Sequence, residues 1–569
     1  MSYRLINNIV GWAVFVIATT VYMLTLEPTT SLWDCGEYIT TANQLEVGHP
    51  PGAPLFMMVG RIFSAFSSPE NAAWAVNAMS GLSSSFSILF LFWSITMLVR
   101  KLAPKYDKLS AGDKFAILAS GVVGALAYAF TDSFWFSAVE GEVYAMSSFF
   151  TAVVFWAILK WETIAHEPRS DRWLVLIFFL MGLSIGVHLL NLLAIPAICF
   201  VYYFKRFEYK FWGLLITGVI SIAVLGLIQA VIIPVVIDNA AWMEKMAVNG
   251  LGFGFNSGAI LFFILLIASF GFSLYYSQKD NLSKGAKVIF FLSVLIVLGL
   301  TTGWLLAIPW MIFSFVWIFV KDERFTTTTR KIINTTVSFI LVILIGYSSF
   351  AMIVVRSNAN PPLDENNPET LASLSSYLKR EQYGSWPIAY GPYWNAPAIP
   401  SKAKHKNPTY MKAYVLKDGE RTLKRKVDGS DLAFDTRLSA TKYMEKNELK
   451  AEIVSEYIIT DDGKFAEQVY DPRFCAILPR MYRVGSGPNY MQWSNYEGDK
   501  NMPLPASPEY GRGINNMADV VKRVQANIDQ AFLSNDLGAV QEMQKQLNSI
   551  TKDGIYKPTK GENLHYMLN

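Results

Sequence analysis

Long apolar runs separated by short polar breaks fill the first 355 residues. Runs long enough to cross a hydrocarbon core of roughly 30 Å fall at 5–26, 73–99, 115–131, 143–159, 173–187, 190–204, 211–237, 257–276, 287–302, 304–320 and 332–355. They predict a polytopic α-helical membrane protein with about 11 transmembrane helices. Two cuts rest on length alone, one at His188–Asn191 and one at Thr301–Gly303. Residues 54–66 are apolar but too short to span, which predicts a helix lying in the interface or dipping back into it. The first run is followed by no small-x-small cleavage pattern and reads as a retained helix.

From Arg356 the pattern changes to mixed polar sequence with Pro-Pro, Asn-Pro and Gly-Pro punctuation. The expected organisation is a transmembrane domain over 1–355, with a long first outer loop at 27–72, and an α+β soluble domain over 356–569. In the latter, 368–382 reads as a helix and segments near 410–416, 422–434, 451–460 and 464–480 as strands. Met517, Val520, Val521, Val524, Ile528 and Phe532 recur at helical spacing and predict a terminal helical pair.

Composition agrees with a membrane protein: 52% of residues are hydrophobic and only 17% charged. A net charge of +4 gives no argument for nucleic acid as a partner. What the basic residues do report is sidedness. With the N-terminus inside, the inner loops carry nineteen Lys and Arg, whereas the outer loops up to residue 331 carry only Arg61 and Lys245. An odd number of crossings then places the polar region after 355 outside. Three cysteines, Cys35, Cys199 and Cys475, make no disulfide framework, although a Cys35–Cys475 bridge is conceivable.

The spans carry no Asp, Glu, Lys or Arg in their interiors, and ionisable groups gather at their outer ends. A transporter places such groups near the midplane, so this pattern favours a reaction at the membrane surface. The first outer loop holds Asp34, Glu37, Glu46 and His49. Asp34 with Glu37 suits a base that takes a proton from an attacking hydroxyl, since a carboxylate near apolar surface is driven towards a useful pKa. The same residues also fit two overlapping capping boxes, Ser31-x-x-Asp34 and Asp34-x-x-Glu37. His49, held extended by the prolines after it, suits contact with a phosphate or a metal, or a turn satisfied by backbone. Glu140 and Glu142 straddle a glycine and suit a hydroxyl-bearing substrate or a divalent cation; solvated helix-end charges read the same way. His188 and Asn191 fall at the outer face beside them. Arg61 and Arg356 are placed to meet an anion at headgroup level, and an anchoring role at the interface fits Arg356 equally. Nine Lys or Arg between 402 and 426 read as a solvated strand face, with attraction to anionic lipid as the lesser reading.

Several of these stretches resemble one family. Trp33-Asp-Cys-Gly-Glu-Tyr, His49-Pro-Pro-Gly-Ala-Pro-Leu and Ala138-Val-Glu-Gly-Glu-Val-Tyr, with Arg356-Ser-Asn-Ala-Asn-Pro-Pro, Glu365-Asn-Asn-Pro and Arg380-Glu-Gln-Tyr-Gly, look like the bacterial membrane family called domain of unknown function 2723. Its animal relatives are the transmembrane protein 260 O-mannosyltransferases. The resemblance implies a C-type glycosyltransferase-like fold in the bacterial inner membrane, N-terminus cytoplasmic and C-terminal domain periplasmic. It implies a polyprenyl-phosphate-linked sugar donor, mannose among the candidates, and the Ser or Thr hydroxyl of an exported protein as acceptor. Carried over by position, Asp34 is the essential loop carboxylate, and Glu37, His49, Glu140 and Glu142 line the site. A divalent cation remains open, since the sequence has no compelling ligand cluster. Three other readings stand beside this one: transfer to a lipid or cell-surface glycan, a flippase or transporter, and a non-catalytic membrane component.

Overall fold

The computed structural model describes residues 2–103, 109–319, 323–383, 387, 389–396, 409–424, 431–461, 470, 472–499, 517–534, 536–551 and 558–568. The chain forms two compact units, one of residues 1–382 with 410–458 and the other of 383–409 with 459–569.

The first unit is the membrane bundle. Its helices are α1 (Tyr3–Leu24), α2 (Cys35–Gln44), α3 (Pro54–Ser64), α4 (Ala72–Arg100), α5 (Ala111–Ala129), α6 (Asp132–Ala138), α7 (Val143–Ile164), α8 (Arg172–Ile185), α9 (Ile195–Arg206), α10 (Phe211–Gly226), α11 (Ile233–Lys245), α12 (Ser257–Ser277), α13 (Lys284–Thr302), α14 (Trp304–Phe319), α15 (Glu323–Tyr347), α16 (Ala351–Ser357) and α17 (Leu371–Leu378). Every apolar run read from the sequence is helical. Among the described residues, nine helices are long and apolar enough to cross a membrane; Arg172–Ile185 and Trp304–Phe313 are apolar helices of shorter length. The run starting at Phe211 continues to Gly250 through π-helical turns at Leu227–Ile232 and Met246–Gly250, well past the end at 237 that hydropathy alone suggests.

α4 is the hub, packing against α1, α3, α5 and α7. Its pairing with α1 and α5 buries Val14, Ala18, Tyr22, Phe92 and Ala125. A second close crossing joins α8 to α15. A Cβ on Gly182 would meet the Ile343 carbonyl, and one on Gly346 would meet the backbone of Gly182 and Leu183, so this crossing admits only glycine. At the bundle end opposite α2, Glu162 of α7 accepts from Lys101 at 2.5 Å and Lys205 at 3.4 Å, while Arg206 reaches Asp171 at 3.3 Å.

Residues 356–382 and 410–458 pack within this unit, so its boundary does not fall at 355 as the composition shift suggests. The reason is specific bonding to the α11–α12 connection. Asn249 donates to the Tyr457 carbonyl and accepts from the Tyr457 amide, both at 2.9 Å, and the Tyr457 hydroxyl donates to buried Glu244 at 3.1 Å. Here strand Thr409–Asp418 pairs antiparallel with Arg421–Thr422 and Ala433–Phe434, in register Lys417↔Thr422 and Tyr414↔Phe434, and also with Glu452–Asp461. Helix α18 (Arg437–Lys446) covers this sheet through Ala440 and Tyr443. Of the basic run at 402–426, residues 402–408 and 425–426 lie outside the described residues; Lys417 pairs with Glu456 at 3.1 Å and Lys412 reaches Asn358 at 3.0 Å.

The second unit has a two-stranded sheet, Tyr390–Pro392 against Cys475–Ile477, and a core of Tyr393, Trp394, Met481 and Tyr490. Of the strand expected at 464–480, residues 464–469 and 471 lie outside the described residues, Pro472–Phe474 is a 3₁₀ turn, and the strand itself is Cys475–Ile477. The C-terminal helices are Met517–Leu533, Leu537–Thr551 and Lys560–Leu568, one more than the expected pair. Glu562 accepts backbone N–H bonds from Glu497, Gly498 and Thr559 and fastens the last helix.

Candidate active site

The loop between α1 and α4 folds back on itself as α2 and α3. Asp34 holds the N-cap position of α2, but its side chain makes no capping hydrogen bond and is exposed. Ser31, the first residue of the other expected capping box, instead donates to Glu140 Oε2 at 2.6 Å. Neither capping box forms, and among the described residues the Asp34 carboxylate has no hydrogen-bond partner. It lies close enough for its charge to be felt at Tyr38, His49, Glu142 and Glu365.

One turn further along α2, Glu37 Oε1 accepts two bonds from the same residue, the His49 backbone N–H at 2.6 Å and Nδ1 at 2.9 Å. Room for this carboxylate exists only because residue 48 is glycine; a Cβ there would come within 2.5 Å of Oε1. Burial alone would raise the Glu37 carboxyl, yet the two bonds from His49 hold it below the usual range. The bond to Glu37 outweighs burial at His49 and raises the imidazole, with further help from Asp34 and Glu365. Nδ1 is therefore the protonated nitrogen facing Glu37, and Nε2 is left for a second partner. Glu37, expected to share the base role with Asp34, is occupied in holding His49.

Glu140 and Glu142 flank Gly141 just before α7. Glu140 is buried and held by Ser31. Glu142 is half-buried; desolvation, then the charges of Glu140 and Asp34, push its carboxyl up to about 7. Cys35 Sγ and one oxygen from each glutamate lie within 4.8 Å of one another. This donor set fits a cation poorly: burial pushes the thiol up to about 12, and two carboxylates fall short of the six to eight oxygens a hard cation takes. All three cysteines are free thiols, so no Cys35–Cys475 bridge forms.

His188 stands beyond Glu142, its ring 5.5 Å from that of Tyr144. Its Nδ1 accepts the Leu190 N–H at 3.1 Å, and burial followed by the charge of Arg380 keeps the ring neutral, so Nε2–H is its donor. Asn191 is fully buried and donates to Ser184 Oγ at 2.9 Å. The two arginines read as anion contacts are also placed otherwise. Arg61 donates to the Asn43 carbonyl at 2.6 Å, and Arg356 donates to those of Leu45 at 2.5 Å and Gln44 at 3.2 Å. Both bind the unpaired carbonyls at the C-terminus of α2, where cations also complement the helix dipole. Two residues absent from the candidate list join the site: Tyr38, whose ring is 5.6 Å from His49, and Glu365, whose motif was visible but whose partner in the first loop was not.

Residues 34–211 match the model of the TMEM260 protein O-mannosyl-transferase N-terminal domain, a stretch that starts at Asp34 and contains every loop carboxylate described above except Glu365. Over that stretch the chain is related to TMEM260. It is 28% identical over 161 residues to the protein O-mannosyl-transferase tmem260 of Dictyostelium discoideum, covering 28% of this chain and 18% of that protein. With TMEM260 of Mus musculus it shares 27% identity over 173 residues, 30% of this chain and 22% of the relative. The match to TMEM260 thus spans about a fifth of each relative's own length. No solved structure matches the chain.

Proposed function

We propose that the protein transfers a sugar from a polyprenyl-phosphate carrier to Ser or Thr hydroxyls of exported proteins, at the outer face of the bacterial inner membrane, with its N-terminus inside. The observation that carries this reading is the exposed, uncommitted carboxylate of Asp34 beside half-buried Glu142. Asp34 takes the proton of the acceptor hydroxyl as its oxygen attacks the anomeric carbon. The bond from that carbon to the carrier phosphate breaks, and its electron pair leaves with the phosphate. His49, whose protonated form is favoured by the bond to Glu37, donates from Nε2 to the departing oxygen, as a developing anion requires. Glu142 holds its proton up to about pH 7 and donates to a sugar hydroxyl. Attack opposite the leaving group predicts inversion. Apolar helix surface beside the loop accommodates the lipid tail, so only the sugar phosphate needs polar contacts.

The test is glycosylation of exported proteins, by intact mass and sugar release, in cells carrying wild type, Asp34→Asn or Glu142→Ala at matched membrane levels. Loss of a sugar from Ser or Thr in Asp34→Asn supports the proposal. Unchanged protein glycosylation with a lost lipid or polymer modification would move the acceptor to a glycan or lipid.

A further inference from the structure

The 45–52 loop that carries His49 is held at three points by chain that follows the last span, more than 300 residues later. Arg356 donates to the Leu45 carbonyl. Val47 forms a parallel bridge with Asp364, its N–H donating to the Leu363 carbonyl at 3.0 Å and its carbonyl accepting from Glu365 at 3.1 Å. The Tyr377 hydroxyl donates to the Gly48 carbonyl at 2.6 Å and lies 3.3 Å from that of His49. Tyr377 is 1% exposed, and its hydroxyl fills the space where a Cβ on Gly52 would sit, at 2.7 Å. Gly52, with φ of +73°, is the residue that lets the loop turn under it.

The consequence lies at the Glu37–His49 pair. The Gly48 and His49 carbonyls fixed by Tyr377 adjoin the His49 N–H that Glu37 accepts, so the same short stretch is bonded from both sides. We propose that Tyr377 is a positioning residue: its hydroxyl, acting with the Val47–Asp364 bridge, sets the loop so that His49 presents both its N–H and Nδ1 to Glu37. The inference rests on the transferase reading for its catalytic consequence, but its geometric part stands without it. Besides Glu37, the groups facing His49 are Asp34, Tyr38, Glu142 and Glu365.

The test uses the full chain in membranes as Tyr377→Phe, which keeps the buried ring and removes only the hydroxyl. Two quantities are read: the pH midpoint of His49 carbethoxylation, followed on its own peptide by mass spectrometry, and kcat and KM for sugar transfer. The expected result is a His49 midpoint that moves down towards that of a free histidine, with kcat lower by about tenfold and donor KM unchanged, the scale of a small misplacement of a reacting group. An unchanged midpoint overturns the inference, whatever the activity. A shifted midpoint in a protein whose wild type transfers no sugar supports the positioning and overturns the transferase reading instead. Should Tyr377→Phe fail to accumulate, Tyr377→Trp and Gly52→Ala disturb the same contact, and a normal His49 midpoint in either folded variant overturns the inference.

Discussion

The Glu37→Gln substitution isolates the charge in the Glu37–His49 pair while leaving its shape. Glu37 Oε1 receives two bonds, at 2.6 and 2.9 Å, and both side chains are only about a fifth exposed, so solvent screening is modest. A glutamine oxygen can accept both bonds, but as neutral ones. Hydrogen bonds to charged groups contribute about 1.5–3 kcal/mol and neutral ones about 0.5–1.5, so the variant loses about 2–3 kcal/mol over the two. The pH dependence gives the sign. His49 is raised above 6.5 in the folded state, so its share of the stability is fully present below 6.5 and is lost as pH rises through the raised value. Glu37 is lowered below 4.5, so its share is present above 4.5 and is lost as pH falls through the lowered value. The gap between wild type and variant, measured by thermal unfolding in detergent across this range, is therefore widest between 4.5 and 6.5 and narrows on both sides. A gap that stays constant with pH would refute the claim that the imidazole is charged against Glu37.

Three further outcomes follow from the geometry. Asp34→Asn abolishes transfer, whereas Glu142→Gln, which imitates the protonated form, stays active below about pH 7 and changes the decline above it; pH–rate profiles of the two variants decide this. Arg356→Ala removes two bonds to α2 carbonyls and destabilises by about 1.5–3 kcal/mol with donor KM unchanged, whereas a phosphate-binding arginine would show its loss in KM. Gly346→Leu has no room against α8 and prevents the folded protein from accumulating in membranes, while Gly271→Leu, with open space around it, accumulates normally in the same immunoblot and size-exclusion assay.

The parts of the molecule readable from sequence are those whose physics is local. Hydropathy located every membrane helix because desolvating a backbone leaves a continuous apolar run as its record. It misplaced the end of the 211–250 helix because Asp238, Glu244 and Lys245 look like the end of a span, although Glu244 is buried by accepting from Asn256, Ala259 and Tyr457. In the candidate site, Asp34, Glu37, His49, Glu140 and Glu142 stood out in the sequence because they crowd the first two outer loops. Their division of labour was not legible: whether Ser31 caps α2 or holds Glu140 depends on a residue 109 positions away.

The arginines show where such reasoning stops. Arg61 and Arg356 have the charge and location of anion ligands, and sequence contains no sign that three carbonyls at the end of α2 need donors first. Once those bonds are seen, the cation that the proposed mechanism needs at a departing phosphate falls to His49, whose charged form Glu37 favours. On that proposal the acidic loop supplies its own cation: a carboxylate that looked like a second base favours the charged imidazole beside it, and Asp34 is the carboxylate assigned to the base.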